Sequence, residues 1–221
     1  MTPDACTLLV AVKRDLGKPT TWGAPVEFRD SLALAALNSA YSLRAKSPAV
    51  RNVLARYRDV RPKADTDGGP ELMAAMDAVG GPERFAVEVL RNESKLPGTK
   101  RLRTVGLYEG LTKLCQLEPS VCTAADLRAN AQTSTTKEAW RSVSGFGDMA
   151  WSYLLMNAGV TDLSKPDVMV QRYLNRCLEH SGSQRLSSTQ VRGLLEEVAE
   201  ELCVDVRSLD RAIWLYESPT G

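Results

Sequence analysis

The chain carries almost no strand signal. Alternating runs of Val, Ile and Thr are absent, while Ala, Leu, Arg and Glu recur at the three- and four-residue spacing of helices that bury one face. The clearest stretch is 26–43, VEFRDSLALAALNSAYSL, where Phe28, Leu32, Ala35, Ala36, Ser39 and Leu43 share a face. The same reading predicts helices over 49–57, opened by Pro48, and over 70–79, 82–92, 101–114 and 124–130, the last capped by Thr123. It continues with 137–143, capped by Thr136, then 148–157, ended by Gly159, and 166–180, 188–203 and 205–216. RPKADTDGGP, 61–70, reads as a loop, and the class is all-α.

A chain of 221 residues can form one large domain or two lobes that share a cleft. The net charge of +1 excludes a globally basic protein, so any nucleic-acid contact must come from a local patch. The five cysteines are odd in number, scattered and free of any C-x-x-C spacing, which reads as reduced thiols rather than a disulfide framework or a zinc site. His180 is the sole histidine and sits at a predicted helix end, so no metal site is expected. The first ten residues lack a basic and then apolar leader, and no apolar run approaches the roughly 20 residues that span a bilayer. The expectation is a cytoplasmic protein without membrane association.

Residues 144–169, SGFGDMAWSYLLMNAGVTDLSKPDVM, concentrate the chemistry. Ser144-Gly145-Phe146-Gly147 links two predicted helices tightly. Two glycines allow positive φ and close backbone approach, and their N–H groups with the next helix N-terminus make a concave donor site suited to phosphate. The bland reading is an ordinary helix–helix turn. Asp148 favours the bland reading, because a carboxylate there caps the helix but repels phosphate. Asp167 follows Pro166 and so lies in the first turn of a further helix, where an acid alone reads as a dipole partner. The joint pattern is more telling. Asp167 lies 167 − 149 = 18 positions after Met149, and Arg172, Asn175 and Arg176 follow it.

On these residues the chain resembles the helix-hairpin-helix DNA glycosylase superfamily, which includes endonuclease III and the mispair-specific adenine glycosylase. That family's hairpin is Gly-apolar-Gly, matched by Gly145-Phe146-Gly147. A Lys, Ser or Trp stands two residues after the second glycine, where this chain has Met149. The family's Asp comes about 18 residues later, matched by Asp167, and precedes a helix with Arg and Asn-Arg, matched by Arg172 and Asn175-Arg176. The Lys165-Pro166-Asp167-x-Met169 stretch is similar to one bacterial branch of the superfamily. The likeness covers roughly two thirds of the chain and is strongest over 136–177.

The resemblance implies two helical lobes with a cleft between them: 30–160 with the hairpin, and 1–29 plus 161–221 with the catalytic Asp. It implies double-stranded DNA with one base flipped out as the partner, and a monomeric enzyme. Asp167 would be catalytic. Ser144, Gly145, Phe146 and Gly147 would hold a phosphate, with Lys165 near the backbone and Tyr41 near the position that fills the gap left by the base. Met149, Trp151 and Met169 would line the base pocket, with Trp140 a further candidate wall. No cofactor is implied: the four-cysteine iron–sulfur loop of some members is missing, since only Cys203 follows Cys177, and the hairpin at most takes a monovalent cation.

Two departures shape the expected chemistry. Met149 lacks the amine of a Schiff-base lysine, so the activity expected is monofunctional base excision without strand cleavage. Leu37 stands where an adenine glycosylase would place a second acid, four residues before Tyr41. The alternative is a non-catalytic DNA-binding protein that keeps the glycosylase fold, and a third reading is an enzyme on free nucleosides or an interaction protein.

Overall fold

The computed structural model describes residues 1–22, 27–45, 47–160, 168–179 and 185–217. It is all-α. Among the described residues the only strand-like pairing is an isolated bridge between Lys95 and Leu102, and no helix is long and apolar enough to cross a membrane. The chain divides into two compact units, Met1–Val26 with Asp162–Gly221, and Glu27–Thr161.

The first unit is a bundle of α1 (Pro3–Leu16), α10 (Val168–Cys177), α11 (Ser188–Glu201) and α12 (Val206–Glu217). Thr2 caps α1 by accepting from Ala5 N–H, and Ser187 with Gln190 forms a capping box on α11. Leu8, Val12, Val170, Tyr173, Val198 and Ile213 meet in its core. Tyr173 donates to Asp15 at 3.1 Å, which gives the buried phenol a partner at the rim.

The second unit is built around α2 (Leu32–Ser42). Every residue from Leu32 to Leu37 is buried, so this helix is apolar on all sides and serves as a central post rather than a surface element. Its small residues Ala33, Ala35, Ala36 and Ala40 let neighbours come close. Around it stand α3 (Ser47–Val60), α4 (Gly69–Ala78), α6 (Arg103–Cys115), α7 (Ala124–Ala129) and α9 (Asp148–Asn157), while α8 (Ser134–Arg141) packs on α6 and α9, and the short α5 (Pro82–Arg84), running into a π-helix, Phe85–Val89, packs on α6. Ser39 Oγ donates to Ala150 O at 2.8 Å and Asn38 donates to Asn157 at 2.7 Å, fixing α2 against α9. Phe28 N–H bonds to Asn157 O, so the start of α2 lies by the end of α9 and the two run antiparallel.

The ends of α2 are secured differently. At the N-terminus, Ser31 accepts from Leu34 N–H as the cap and donates to Ala64 O and Asp67 O. Asp67 is buried, and its carboxylate takes Tyr57 Oη at 2.7 Å and two guanidinium bonds from Arg61. At the C-terminus, buried Arg103 donates to the carbonyls of Ala40 and Leu43, occupying groups that a helix end leaves unpaired.

Several boundaries differ from the sequence reading. The helix predicted over 26–43 begins only at Leu32, because the Ser31 side chain supplies a cap there. Thr136 does not cap α8; the helix begins two residues earlier, and Thr136 is buried within it. The helix predicted over 82–92 becomes the α5 turn and the π-helix, with Leu90 N–H reaching back five residues to Phe85 O.

Candidate functional site

The hairpin between α8 and α9 is seated on a flattened face of α6. Gly106 and Gly110 stand one turn apart on that helix, and a side chain at either would collide with its neighbours. A Cβ on Gly110 would stand 2.9 Å from the Trp140 ring and 3.4 Å from Phe146. Trp140 and Phe146 stack with centroids 4.6 Å apart and planes 20° from parallel. Both rings are buried, so the hydrophobic weight of the hairpin rests inward on α6.

The two glycines of the hairpin have different reasons for being glycine. Gly145 has φ +97, and a Cβ there would stand 2.7 Å from Leu96 Cβ and 3.2 Å from Thr99 Cγ2. Its conformation and its packing both demand a missing side chain. Gly147 has φ −121, an extended value open to any residue, and a Cβ there would meet nothing within 4 Å. The positive φ that the sequence allows at both glycines is therefore used at Gly145 alone.

Gly147 is the N-cap of α9 and supplies no side-chain acceptor, so the leading N–H groups of that helix are left uncapped. Phe146 N–H is not among the available donors, because it bonds to Val143 O at 2.9 Å. Phe146 anchors the hairpin from inside, and its ring has no outward face to offer DNA. Asp148 is exposed, and its Oδ1 lies 3.3 Å from Arg141 Nε and 3.6 Å from Lys137 Nζ. These two α8 cations answer the carboxylate expected to repel a phosphate, and the three groups together carry one net positive charge.

The remaining predicted site residues are scattered in character. Ser144 is exposed at the hairpin tip. Met149 is 58% exposed in the first turn of α9, while Trp151 and Trp140 are buried in the unit. Met169 is partly buried on α10 and accepts a weak bond from Arg172. Asn175 is occupied structurally, donating to Gln171 O and accepting from Leu186 N–H. Tyr41 is 2% exposed, with its ring beside Arg103 and its hydroxyl 3.4 Å from Asn92 O. Burial pushes the Tyr41 phenol well above its ordinary pKa. A ring so enclosed does not reach into a duplex. Asp167, Lys165 and His180 lie outside the described residues. Among the described residues no group of three or more His, Cys, Asp or Glu is arranged to hold a metal.

Sequence reasoning missed two features of this end of the unit. The partners of Asp148 sit on the preceding helix at 137 and 141, a four-residue spacing that could have been noticed. Arg44 and Arg91 adopt positive φ, 52° and 46°, which no residue-type rule flags for arginine.

A model for DUF8548, a domain of unknown function, matches residues 7–218, so the chain belongs to that family. No match was found among curated proteins or among solved structures.

Proposed function

We propose that this DUF8548 domain is a monofunctional DNA glycosylase of the helix-hairpin-helix type, which hydrolyses the bond between a damaged or modified base and deoxyribose and leaves an abasic site. The reading carries with it the two-lobe arrangement of that superfamily. The observation that supports it best is Gly147. Among the described residues nothing requires a glycine there, and Ser, Asp or Asn would cap α9 better. A glycine that forgoes the cap keeps the N-terminus of a ten-residue helix open to an outside acceptor, and a phosphodiester oxygen suits that position.

The chemistry follows from the resemblance. A base in a duplex must leave the stack before its glycosidic bond can be reached. Bond cleavage leaves positive charge on the sugar, and the Asp167 carboxylate stabilises that charge and orients the attacking water. At 4 Å and an effective dielectric near 20, the attraction is about 4 kcal/mol, roughly a thousandfold in rate. Met149, in the family's lysine position, offers no amine for a covalent imine. The hairpin fixes the strand while the acid acts. Tyr41 has no part in this scheme because it is enclosed.

The test is incubation with duplexes that each carry one lesion, followed by mild alkali to cut abasic sites. The wild type releases at least one base, Asp167→Asn loses release by about a thousandfold while still binding DNA, and borohydride traps no adduct. Full release by Asp167→Asn contradicts the assignment of the acid. Cleavage without alkali, with an adduct lost in Lys165→Ala, contradicts the mechanism. DNA binding without any base release favours the non-catalytic module, and no DNA binding favours an enzyme on free nucleosides or an interaction protein.

A further inference from the structure

The C-terminal end of α2 gathers the turns around the hairpin. Leu96 and Thr99 press on Gly145. The segment that carries them is tied back by Leu96 N–H to Arg101 O and by Arg103 N–H to Ser94 O. The Arg103 guanidinium then holds Leu43 O, one residue before Arg44. On the other side, Arg56 of α3 holds Leu90 O and Arg91 O, and Tyr41 reaches Asn92 O. Each link is a direct contact, so the hairpin, the 91–102 segment and the 43–45 loop share one end of the unit.

Charge is distributed unevenly along this unit. Most of its described cations have a partner. Some meet a carboxylate, as Arg58 meets Asp65 and Arg61 meets Asp67. Others meet backbone carbonyls, as Arg56, Arg103 and Arg128 do, and Lys63 lies in the field of Asp67. Among the described residues, Arg44, Arg51, Arg91, Lys95 and Lys100 have no such partner, and all are exposed. Arg44, Arg91, Lys95 and Lys100 lie on the turns just traced, and Arg51 follows on α3. Glu93 is the carboxylate of the same segment, so Arg44, Arg91, Lys95 and Lys100 with Glu93 sum to 4 − 1 = +3.

Arg44 and Arg91 also hold the left-handed backbone that a Cβ disfavours. Their loops are pinned by the Arg103 and Arg56 guanidiniums, so both side chains leave the surface from fixed points. Clustered like charges repel one another in the folded chain and attract an external polyanion.

We infer that this end of the unit is a docking surface for the phosphodiester backbone of duplex DNA, carried by Arg44, Arg91, Lys95 and Lys100 beside the hairpin. The surface rests on the glycosylase reading and extends it: the hairpin takes one phosphate through backbone N–H groups, and the four cations follow the strand on either side. Duplex DNA fits because the turn bearing Lys95 and Lys100 packs through Leu96 and Thr99 on Gly145, two residues before the uncapped α9, and cations beside a helix end of that kind suit neighbouring phosphates of one strand.

The experiment is binding of the full chain to an undamaged duplex oligonucleotide across a salt series, with single-stranded RNA as competitor. Each phosphate contact contributes about 0.9 to the slope of log K against log salt. The variant combining Arg44→Ala, Arg91→Ala, Lys95→Ala and Lys100→Ala loses about 2 to 4 from that slope, while Lys63→Ala, at the other end of α2, leaves it unchanged. The milder pair Lys95→Gln with Lys100→Gln loses about 1 to 2 and serves if the fourfold variant does not fold. Glu93→Gln tightens binding. An unchanged slope in the folded pair, or tighter binding to RNA than to the duplex, overturns the inference. Base release by the wild type with an unchanged slope removes this surface and leaves the glycosylase reading standing. A reduced slope without base release removes the catalytic reading and leaves the surface.

Discussion

The two ends of α2 solve the same problem with opposite chemistry. Its N-terminal end closes on Asp67, a buried carboxylate satisfied by Tyr57 and Arg61, with Ser31 bonding the adjoining backbone. Its C-terminal end closes on Arg103, a buried guanidinium with carbonyl partners. Around Asp67 the cations are matched by acid. Around Arg103 the surface turns carry cations that nothing in the described protein matches. The first end is arranged for stability, and the second is the surface that we propose meets DNA.

On that contrast, the stability of the hairpin end lies in packing and backbone geometry rather than in ion pairs. Gly145→Ala is the largest expected disruption. It sets a Cβ 2.7 Å from Leu96 and forces a side chain onto φ +97. Overpacking and the left-handed penalty together cost about 3–4 kcal/mol. Thermal unfolding measures this, and a variant as stable as wild type would show that the hairpin is not seated on the 96–99 turn.

The Asp67 end should respond to charge and pH. Asp67→Ala strands Arg61 and Tyr57 and costs about 2–3 kcal/mol, with DNA affinity unchanged. Burial raises the Asp67 pKa, but the bonds from Arg61 and Tyr57 outweigh burial, so the folded value lies below the ordinary one. The unfolded chain therefore takes up this proton first, at about pH 3.9. The contribution is complete above that value and is lost as pH falls through the lower folded pKa. Melting temperatures below about pH 4 should fall more steeply for wild type than for Asp67→Asn. Equal slopes would mean that Asp67 is not the acid-sensitive group.

The helices were largely legible because capping residues and apolar spacing are local signals. Thr123 and Gly159 marked their helices as read. What escaped the sequence depends on surroundings. Tyr41 looked available because periodicity shows which face of a helix is apolar, not that α2 is enclosed on every side. RPKADTDGGP reads as a loop, yet its Asp67 is a buried anchor, held by Tyr57 at the end of α3 and by Arg61 at the head of the stretch itself, and only the fold of the chain between them closes that cluster. The Gly-Phe-Gly hairpin was visible as a motif, but the division of labour between its glycines was not, because it depends on Leu96 and Thr99, which lie 145 − 96 = 49 and 145 − 99 = 46 positions upstream.

The central claim is that Gly147 is glycine for the sake of a contact outside the protein. Gly147→Val tests it most directly, because Val readily adopts φ −121 and its side chain enters open space. The paired measurement is melting temperature and affinity for duplex DNA on the same preparation. Stability should change by less than about 1 kcal/mol, the modest effect of a poorer N-cap, while affinity falls at least about tenfold, or roughly 1.4 kcal/mol. A folded Gly147→Val that binds DNA as tightly as wild type would contradict the account.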